Sequence, residues 1–231
     1  MSVTREDLDQ IWNTMPIGNF MDEIVGLMSH VNALSPLNVI LEVGVGFGGS
    51  LRLWEKSVPV GGLVIALDDS PKTVGRLTGN IPTHQLQADS KGWYSDWEVE
   101  FQKGNVVKMV SDRDIYLVLG DSCSLETKSV VEGILNGRQI DFIFHDGQHY
   151  GPTPVRDYGN FQHYFRDGGL LCVADVYTMD NENCGCQELY RELPEPKMGC
   201  SVPYRQGMAL WNKPAGYVLD AEEIIKRKGL V

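Results

Sequence analysis

The sequence predicts an α/β fold, a doubly wound and mostly parallel sheet with helices on both faces. Three observations carry that reading. Short unbroken apolar runs recur at Val39–Leu41, Leu63–Leu67, Ile115–Leu119, Ile140–Phe144 and Leu170–Ala174, as expected of strands covered on both sides. Segments of helical periodicity separate them, the alternation that specifies parallel strands joined by crossover helices. Each run also ends on glycine, a carboxylate or both.

In chain order, Thr4 and Asp7 form a capping pair, and Leu8, Ile11, Trp12 and Met15 follow at i, i+3, i+4, i+7 on one helix face. A second helix from about Asn19 carries Phe20, Ile24, Met28 and Val31 and stops before Pro36. Asn38–Ser50, NVILEVGVGFGGS, is a strand opening onto a glycine turn. Glycine there permits positive φ and lets a ligand approach the main chain without meeting a Cβ. Ser50–Lys56 is a short helix, and Gly61-Gly62 turns the chain into Leu63–Leu67, which ends at Asp68-Asp69. Ser70-Pro71 suits the cap and first turn of the next helix.

Gly79–Asp114 shows no strong strand and gathers Trp93, Tyr94, Trp97 and Phe101; it reads as part helix, part insertion near a binding mouth. Ile115–Leu119 leads into Gly120-Asp121-Ser122 and a helix with Leu125, Val130, Ile134 and Leu135 on its face, closed by Gly137. Ile140–Phe144 runs into HDGQHY, and Pro154 starts a helix with Val155, Tyr158, Phe161 and Phe165 inward, ended by Gly168-Gly169. Leu170–Ala174 closes on Asp175. Tyr177–Tyr204 is less regular, Gly207–Trp211 reads as a last strand and Asp220–Lys228 as a terminal helix.

A chain of 231 residues has room for one sizeable core, so a single domain is expected. Its parts are N-terminal helices over residues 1–35, a binding core over 36–176 and a cover segment, strand and helix over 177–231. Twenty Lys plus Arg against 31 Asp plus Glu give a net charge of −11 with no basic cluster, which argues against nucleic acid as partner. No apolar stretch reaches the roughly 20 residues a membrane span needs, and the polar start has no signal-peptide core. A cytoplasmic protein with five reduced cysteines is expected, without a membrane partner. A homo-oligomer stays open.

The strand ends read Glu42/Gly44, Asp68/Asp69, Asp121/Ser122, Asp146/His149 and Asp175, so every strand delivers a carboxylate to one sheet edge. Ligands of such sheets bind at that edge, near the switch point. By spacing alone the glycines fit two fingerprints. Gly44-x-Gly46-x-x-Gly49 with Asp68 suits a nicotinamide dinucleotide, and Glu42-x-Gly44-x-Gly46-x-Gly48 suits another nucleotide.

The chain resembles the class I S-adenosylmethionine-dependent methyltransferases, Rossmann-like enzymes, through ILEVGVGFGGS, VIALDDSP, LGDS, DFIFHDGQHY and GGLLCVADV between Asn38 and Val176. The resemblance implies that Glu42, Gly44, Gly46 and Gly48 lie by the cofactor's methionine part, Asp68 by its ribose, and Asp121 and Ser122 by its adenine. HDGQHY and GGLLCVAD are similar to the small-molecule O-methyltransferase branch of the macrocin O-methyltransferase and cephalosporin hydroxylase type. That similarity implies a small-molecule hydroxyl acceptor and a divalent cation such as Mg²⁺ at Asp146 and Asp175, although Val176 stands where the branch often has a second oxygen ligand. Asp146 would also adjoin the cofactor, and His149 is the candidate general base beside the transferred methyl. His145 is expected to point into packing. Cys184-Gly-Cys186 with Cys200 is poor spacing for a thiolate metal site. An NAD-dependent oxidoreductase and a cofactor-binding protein without methyl transfer are the alternatives.

Overall fold

The computed structural model describes residues 3–14, 17, 19, 21–34, 36–78, 98–102, 104–177, 184–200 and 207–230. Helices α1 (Arg5–Thr14) and α2 (Met21–Val31) precede β1 (Val39–Val43), α3 (Gly49–Ser57), β2 (Leu63–Asp68) and α4 (Thr73–Leu77). Strands β3 (Val99–Phe101), β4 (Val106–Met109) and β5 (Asp114–Leu119) follow, then α5 (Leu125–Leu135), β6 (Ile140–His145), α6 (Thr153–Phe161) and β7 (Phe165–Ala174). The chain continues through α7 (Gly185–Glu192), β8 (Met198–Cys200), β9 (Met208–Asn212) and α8 (Ala221–Lys228).

The nine strands among the described residues form one sheet in the order β3-β4-β5-β2-β1-β6-β7-β9-β8. Its centre, β5-β2-β1-β6-β7, is parallel, and β3, β4, β9 and β8 extend it antiparallel on both sides. From β1 the chain first builds outward through β2 to β5, then returns to place β6 on the other side of β1. The switch point therefore lies between β1 and β6, where a parallel sheet opens a crevice at its carboxyl edge.

Alternating side chains feed two cores. Ile40, Val64, Ala66, Phe142 and Phe144 join α1–α4 on one face, while Val39, Leu41, Val43, Ile65 and Ile143 join α5–α8 on the other. Strands buried on both sides cannot alternate in polarity, which is why their sequence reads as continuous apolar runs. The expected capping pair forms: Thr4 N–H donates to Asp7 Oδ2 at 2.9 Å and Asp7 N–H to Thr4 Oγ1 at 3.2 Å. Among the described residues no helix is long and apolar enough to cross a membrane.

Four sequence expectations need correction. Two strands, β3 and β4, occupy part of the segment read as strandless; they are only three and four residues long, too short for a clear pattern. The helix after β2 begins at Thr73, because Asp68 Oδ1 takes the Ser70 N–H at 2.8 Å and so holds Ser70-Pro71 in the preceding turn. Helix α5 turns Thr127, Val131 and Leu135 inward and leaves Leu125 76% exposed. Phe165 begins β7 instead of ending α6, and Gly168-Gly169 sits inside that strand. Gly169 has no room for a Cβ, which would lie 2.4 Å from the Phe165 ring. The segment 79–97, with Trp93, Tyr94 and Trp97, lies outside the described residues, as do 178–183 and 201–206 of the expected cover segment.

Candidate functional site

A cleft of about 560 Å³ opens at the carboxyl edge over the switch point, walled by the turns after β1, β2, β5 and β6. Gly44, Gly46, Asp68, Asp121, Ser122 and Asp146, all named from the sequence, line it. Asp69, named from the sequence only as a strand-end acid, lines it too, with Gly147, Gln148 and Thr153, which were not singled out. Their positions next to named strand ends were the available signal. A groove of about 690 Å³ between α6 and α8 is larger, but it lies away from these strand ends.

The glycine turn has specific steric demands. Gly44 has φ of 88°, and a Cβ there would lie 2.3 Å from the Asp146 carbonyl oxygen. The turns after β1 and β6 thus touch, held by Asp146 N–H donating to Val43 O at 2.8 Å. At Gly46, φ is 56° and nothing lies within 4 Å of a built Cβ. Its backbone faces open space. Gly48, with φ of 87°, precedes α3 as its N-cap.

Asp68 fastens this turn to the next one. Its Oδ2 accepts from the N–H groups of Val45 (3.1 Å) and Gly46 (3.3 Å), and its Oδ1 from Ser70 N–H and Thr73 Oγ1 (both 2.8 Å). Asp121 shapes its own loop through Oδ1, which accepts the Cys123 N–H at 2.9 Å.

Glu42, Gly48, His149 and Asp175 are not on the cleft wall. The pleat of β1 sends Glu42 to the α3 side, fully buried, where Oε1 accepts the Trp54 indole N–H at 3.0 Å and Oε2 has no partner. Burial in that apolar setting pushes its pKa up to about 8, so the acid is mostly protonated at neutral pH. Trp54 in turn packs edge-on against Phe142, 5.1 Å between ring centroids.

On the β6 and β7 side, Asp146, His149 and Asp175 converge. His149 Nδ1 lies 2.8 Å from Asp175 Oδ2, and Nε2 lies 3.4 Å from Asp146 Oδ1. One ligand atom from each of the three falls within 4.8 Å of the others. Burial alone would pull the imidazole down, but hydrogen bonds and charge from the two carboxylates overrule it and raise the pKa to about 10. In that state both nitrogens carry a proton, Nδ1 facing Asp175 and Nε2 turned toward Asp146 without a formed hydrogen bond, so a general-base role requires a proton to leave first. Asp175 holds a left-handed backbone, φ 58°, which for a residue other than glycine marks a constrained position.

His145 points the other way, as expected. It is 2% exposed, with Nε2 2.9 Å from Asp157 Oδ2 on α6, while the Cys123 thiol donates to Asp157 Oδ1 at 3.4 Å. Cys184 and Cys186 lie beside the cleft's far turns: Cys186 N–H donates to His149 O at 3.4 Å and the Cys184 thiol to Asp175 O at 3.7 Å. They act as a clasp between the two turns. The side chain of Cys200 lies outside the described residues.

A family profile described as "Methyltransferase domain" matches residues 41–176, more than half of the chain. No sequence among curated proteins matches it. Among solved structures it is similar to the O-methyltransferase TomG of Streptomyces achromogenes, 13% identical over 93% of this chain and 92% of that one, with a TM-score of 0.56. It is also similar to an O-methyltransferase of Bacillus cereus solved with S-adenosylhomocysteine, 16% identical over 90% of both chains, TM-score 0.53. The calicheamicin-pathway enzyme CalS11 is 15% identical over 93% of this chain and 82% of that one, TM-score 0.54. Those likenesses are of fold. With a glycine turn at the switch point, acids at the strand ends and the profile spanning both, the chain belongs to the methyltransferase domain family and is an S-adenosylmethionine-dependent methyltransferase.

Proposed function

We propose that the enzyme methylates a hydroxyl of a small molecule. The observation that carries this reading is the single cleft in which the glycine turn meets the carboxylates of Asp68, Asp69, Asp121 and Asp146. S-adenosylmethionine is a cationic sulfonium with vicinal hydroxyls and an amino-acid tail, and an acidic wall suits the cation and the hydroxyl donors where it would repel a pyrophosphate. In this reading Gly44 and Gly46 let the cofactor lie against the main chain. Asp68 takes the ribose hydroxyls, and Asp121 and Ser122 take the adenine. Glu42 and the turn to Gly48 support the methionine end from beneath. A net charge of −11 favours a small acceptor over RNA or DNA. TomG is described as acting in tomaymycin synthesis and CalS11 as a TDP-rhamnose 3'-O-methyltransferase, both consistent with such an acceptor.

In this reading Asp146 and His149 orient the acceptor oxygen and receive its proton, with in-line approach to the methyl group supplying much of the acceleration. Two carboxylates and an imidazole within 4.8 Å of one another fit a divalent cation, which Asp146 and Asp175 would hold. When bound, such an ion supplies positive charge to the developing alkoxide.

Calorimetry with S-adenosylhomocysteine tests the cofactor assignment. Asp68→Ala is expected to weaken binding about ten- to a hundredfold, the value of one or two charge-assisted hydrogen bonds. Unchanged affinity would overturn it. A hydroxyl acceptor panel with labelled cofactor then tests methyl transfer.

A further inference from the structure

We propose that Asn160 on α6 is a positioning residue for the cofactor's adenine, acting through the Ser122–Cys123 peptide to aim the Asp121 carboxylate. The inference rests on the methyltransferase reading, in which Asp121 and Ser122 take the adenine, and gives a role to a residue that is not on the cleft wall.

The loop after β5 stands between two cavities. Asp121 and Ser122 line the cleft, whereas the next residue, Cys123, lines the groove between α6 and α8 together with Asn160 and Arg156. Such a loop lacks the close packing that fixes side chains in a core, so hydrogen bonds must set its shape. They come from α6.

Asn160 Nδ2 donates to the Ser122 carbonyl at 3.1 Å. A carbonyl oxygen only accepts, so the amide nitrogen, not the side-chain oxygen, faces it. The same peptide unit carries the Cys123 N–H, which donates to Asp121 Oδ1 at 2.9 Å. This peptide is trans and planar, with its C=O and N–H directed oppositely, so holding the oxygen also sets the direction of the N–H. The carboxylate gripped by that N–H follows. Ser124 N–H closes the turn on the Asp121 carbonyl at 3.0 Å. Asp121 thus spends Oδ1 on its own loop and keeps Oδ2 for a ligand.

The same helix holds the next residue as well. The Cys123 thiol meets Asp157 Oδ1 at 3.4 Å and the Thr153 carbonyl at 3.9 Å. Thr153, Asp157 and Asn160 are spaced by four and three residues, as on one helix face, and Thr153 itself lines the cleft. Asp157 is committed to His145 in the core, which leaves Asn160 as the contact dedicated to the loop.

This placement bears on nucleobase choice. An ionised carboxylate only accepts hydrogen bonds, so Asp121 suits the exocyclic amino group of adenine and opposes the oxygen that replaces it in hypoxanthine. Discrimination between the two bases therefore depends on the direction of the carboxylate, which Asn160 sets.

Calorimetry on the full chain with S-adenosylhomocysteine, S-inosylhomocysteine and 5'-methylthioadenosine tests it. Wild-type protein is expected to prefer the adenine compound over the hypoxanthine one by about tenfold or more. Asn160→Ala should weaken S-adenosylhomocysteine about five- to tenfold, the value of one hydrogen bond, and 5'-methylthioadenosine, which lacks the amino-acid tail, by the same factor. Asn160→Asp keeps the shape but turns an acceptor on the Ser122 carbonyl, and should cost more. In both variants S-inosylhomocysteine should lose less, so the preference for adenine shrinks; either variant alone decides the matter if the other fails to fold. Arg156→Ala, on the same helix and the same groove, removes an exposed ion pair with Glu222 and should leave all three affinities as in wild type.

No preference for adenine in wild-type protein, an unchanged preference in the Asn160 variants, a loss confined to S-adenosylhomocysteine, or an equal loss in Arg156→Ala would each overturn the proposal. Wild-type binding of S-adenosylhomocysteine with unaltered Asn160 variants removes this assignment alone. Absence of binding by wild-type protein removes the methyltransferase reading of the cleft, and this inference with it.

Discussion

His145 and His149 belong to one sequence motif, and each meets aspartate, yet their surroundings differ in kind. His145 is the last residue of β6; the pleat points it into the α5–α8 core against Asp157, with both side chains at most 2% exposed. His149 lies beyond the strand, 22% exposed, between Asp146 and Asp175, which reach it from two different turns. The first pair is closed: Asp157 is shared between His145 and the Cys123 thiol. The second reaches the cleft wall through Asp146 and is part-exposed. A His–Asp pair is structural where the sheet buries it and available to a ligand where the strand has ended.

Disturbing the closed pair should give the largest effect. Asp157→Ala leaves His145 Nε2 and Cys123 without their buried partner, and a loss of about 3 kcal/mol in unfolding free energy is expected. Chemical denaturation checks it, and a change below about 0.5 kcal/mol would mean the pair is not structural. At the open cluster the balance reverses. Asp146→Asn should lower methyl transfer by about a hundredfold or more while shifting stability little, because the residue is part-exposed. Comparable losses of stability in both variants would erase the distinction.

Glu42 gives an effect spread over pH instead of a loss at one pH. Its folded pKa of about 8 lies above the ordinary glutamate value of 4.5, so the folded state holds a proton that the unfolded chain releases between those values. The stability Glu42 contributes through that proton is complete below about pH 4.5 and falls as pH rises to about 8, with a slope of up to about 1.4 kcal/mol per pH unit. Glu42→Gln should flatten that slope. Denaturation curves at pH 5, 6.5 and 8 measure it, and an unchanged slope would assign the pH dependence elsewhere.

The same contrast explains what could be read from residues alone. The parallel strands announced themselves because burial on both faces makes Leu63–Leu67 or Ile140–Phe144 uniformly apolar. The acids were legible because they follow those runs directly. Edge strands β3 and β8 were not, since three residues carry no pattern. Nor was the direction of Glu42, because a strand buried on both sides gives no cue to which face each side chain takes; only Trp54 reveals it. Gln148 and Thr153 escaped because the cleft wall is assembled from neighbours of the strand-end residues as well as from those residues themselves. The clasp made by Cys184 and Cys186 depends on two turns far from each other in sequence meeting, which no local spacing encodes.

The central claim is that the cleft over the β1–β6 switch point holds S-adenosylmethionine with its methyl group facing Asp146, His149 and Asp175. A crystal structure with S-adenosylhomocysteine and Mg²⁺ tests it directly. The account predicts the ribose at Asp68, the adenine by Asp121 and Ser122, the sulfur facing the three-residue cluster, and the ion on Asp146 and Asp175. The product bound in the groove between α6 and α8, or in the cleft with its sulfur turned away from that cluster, would contradict it.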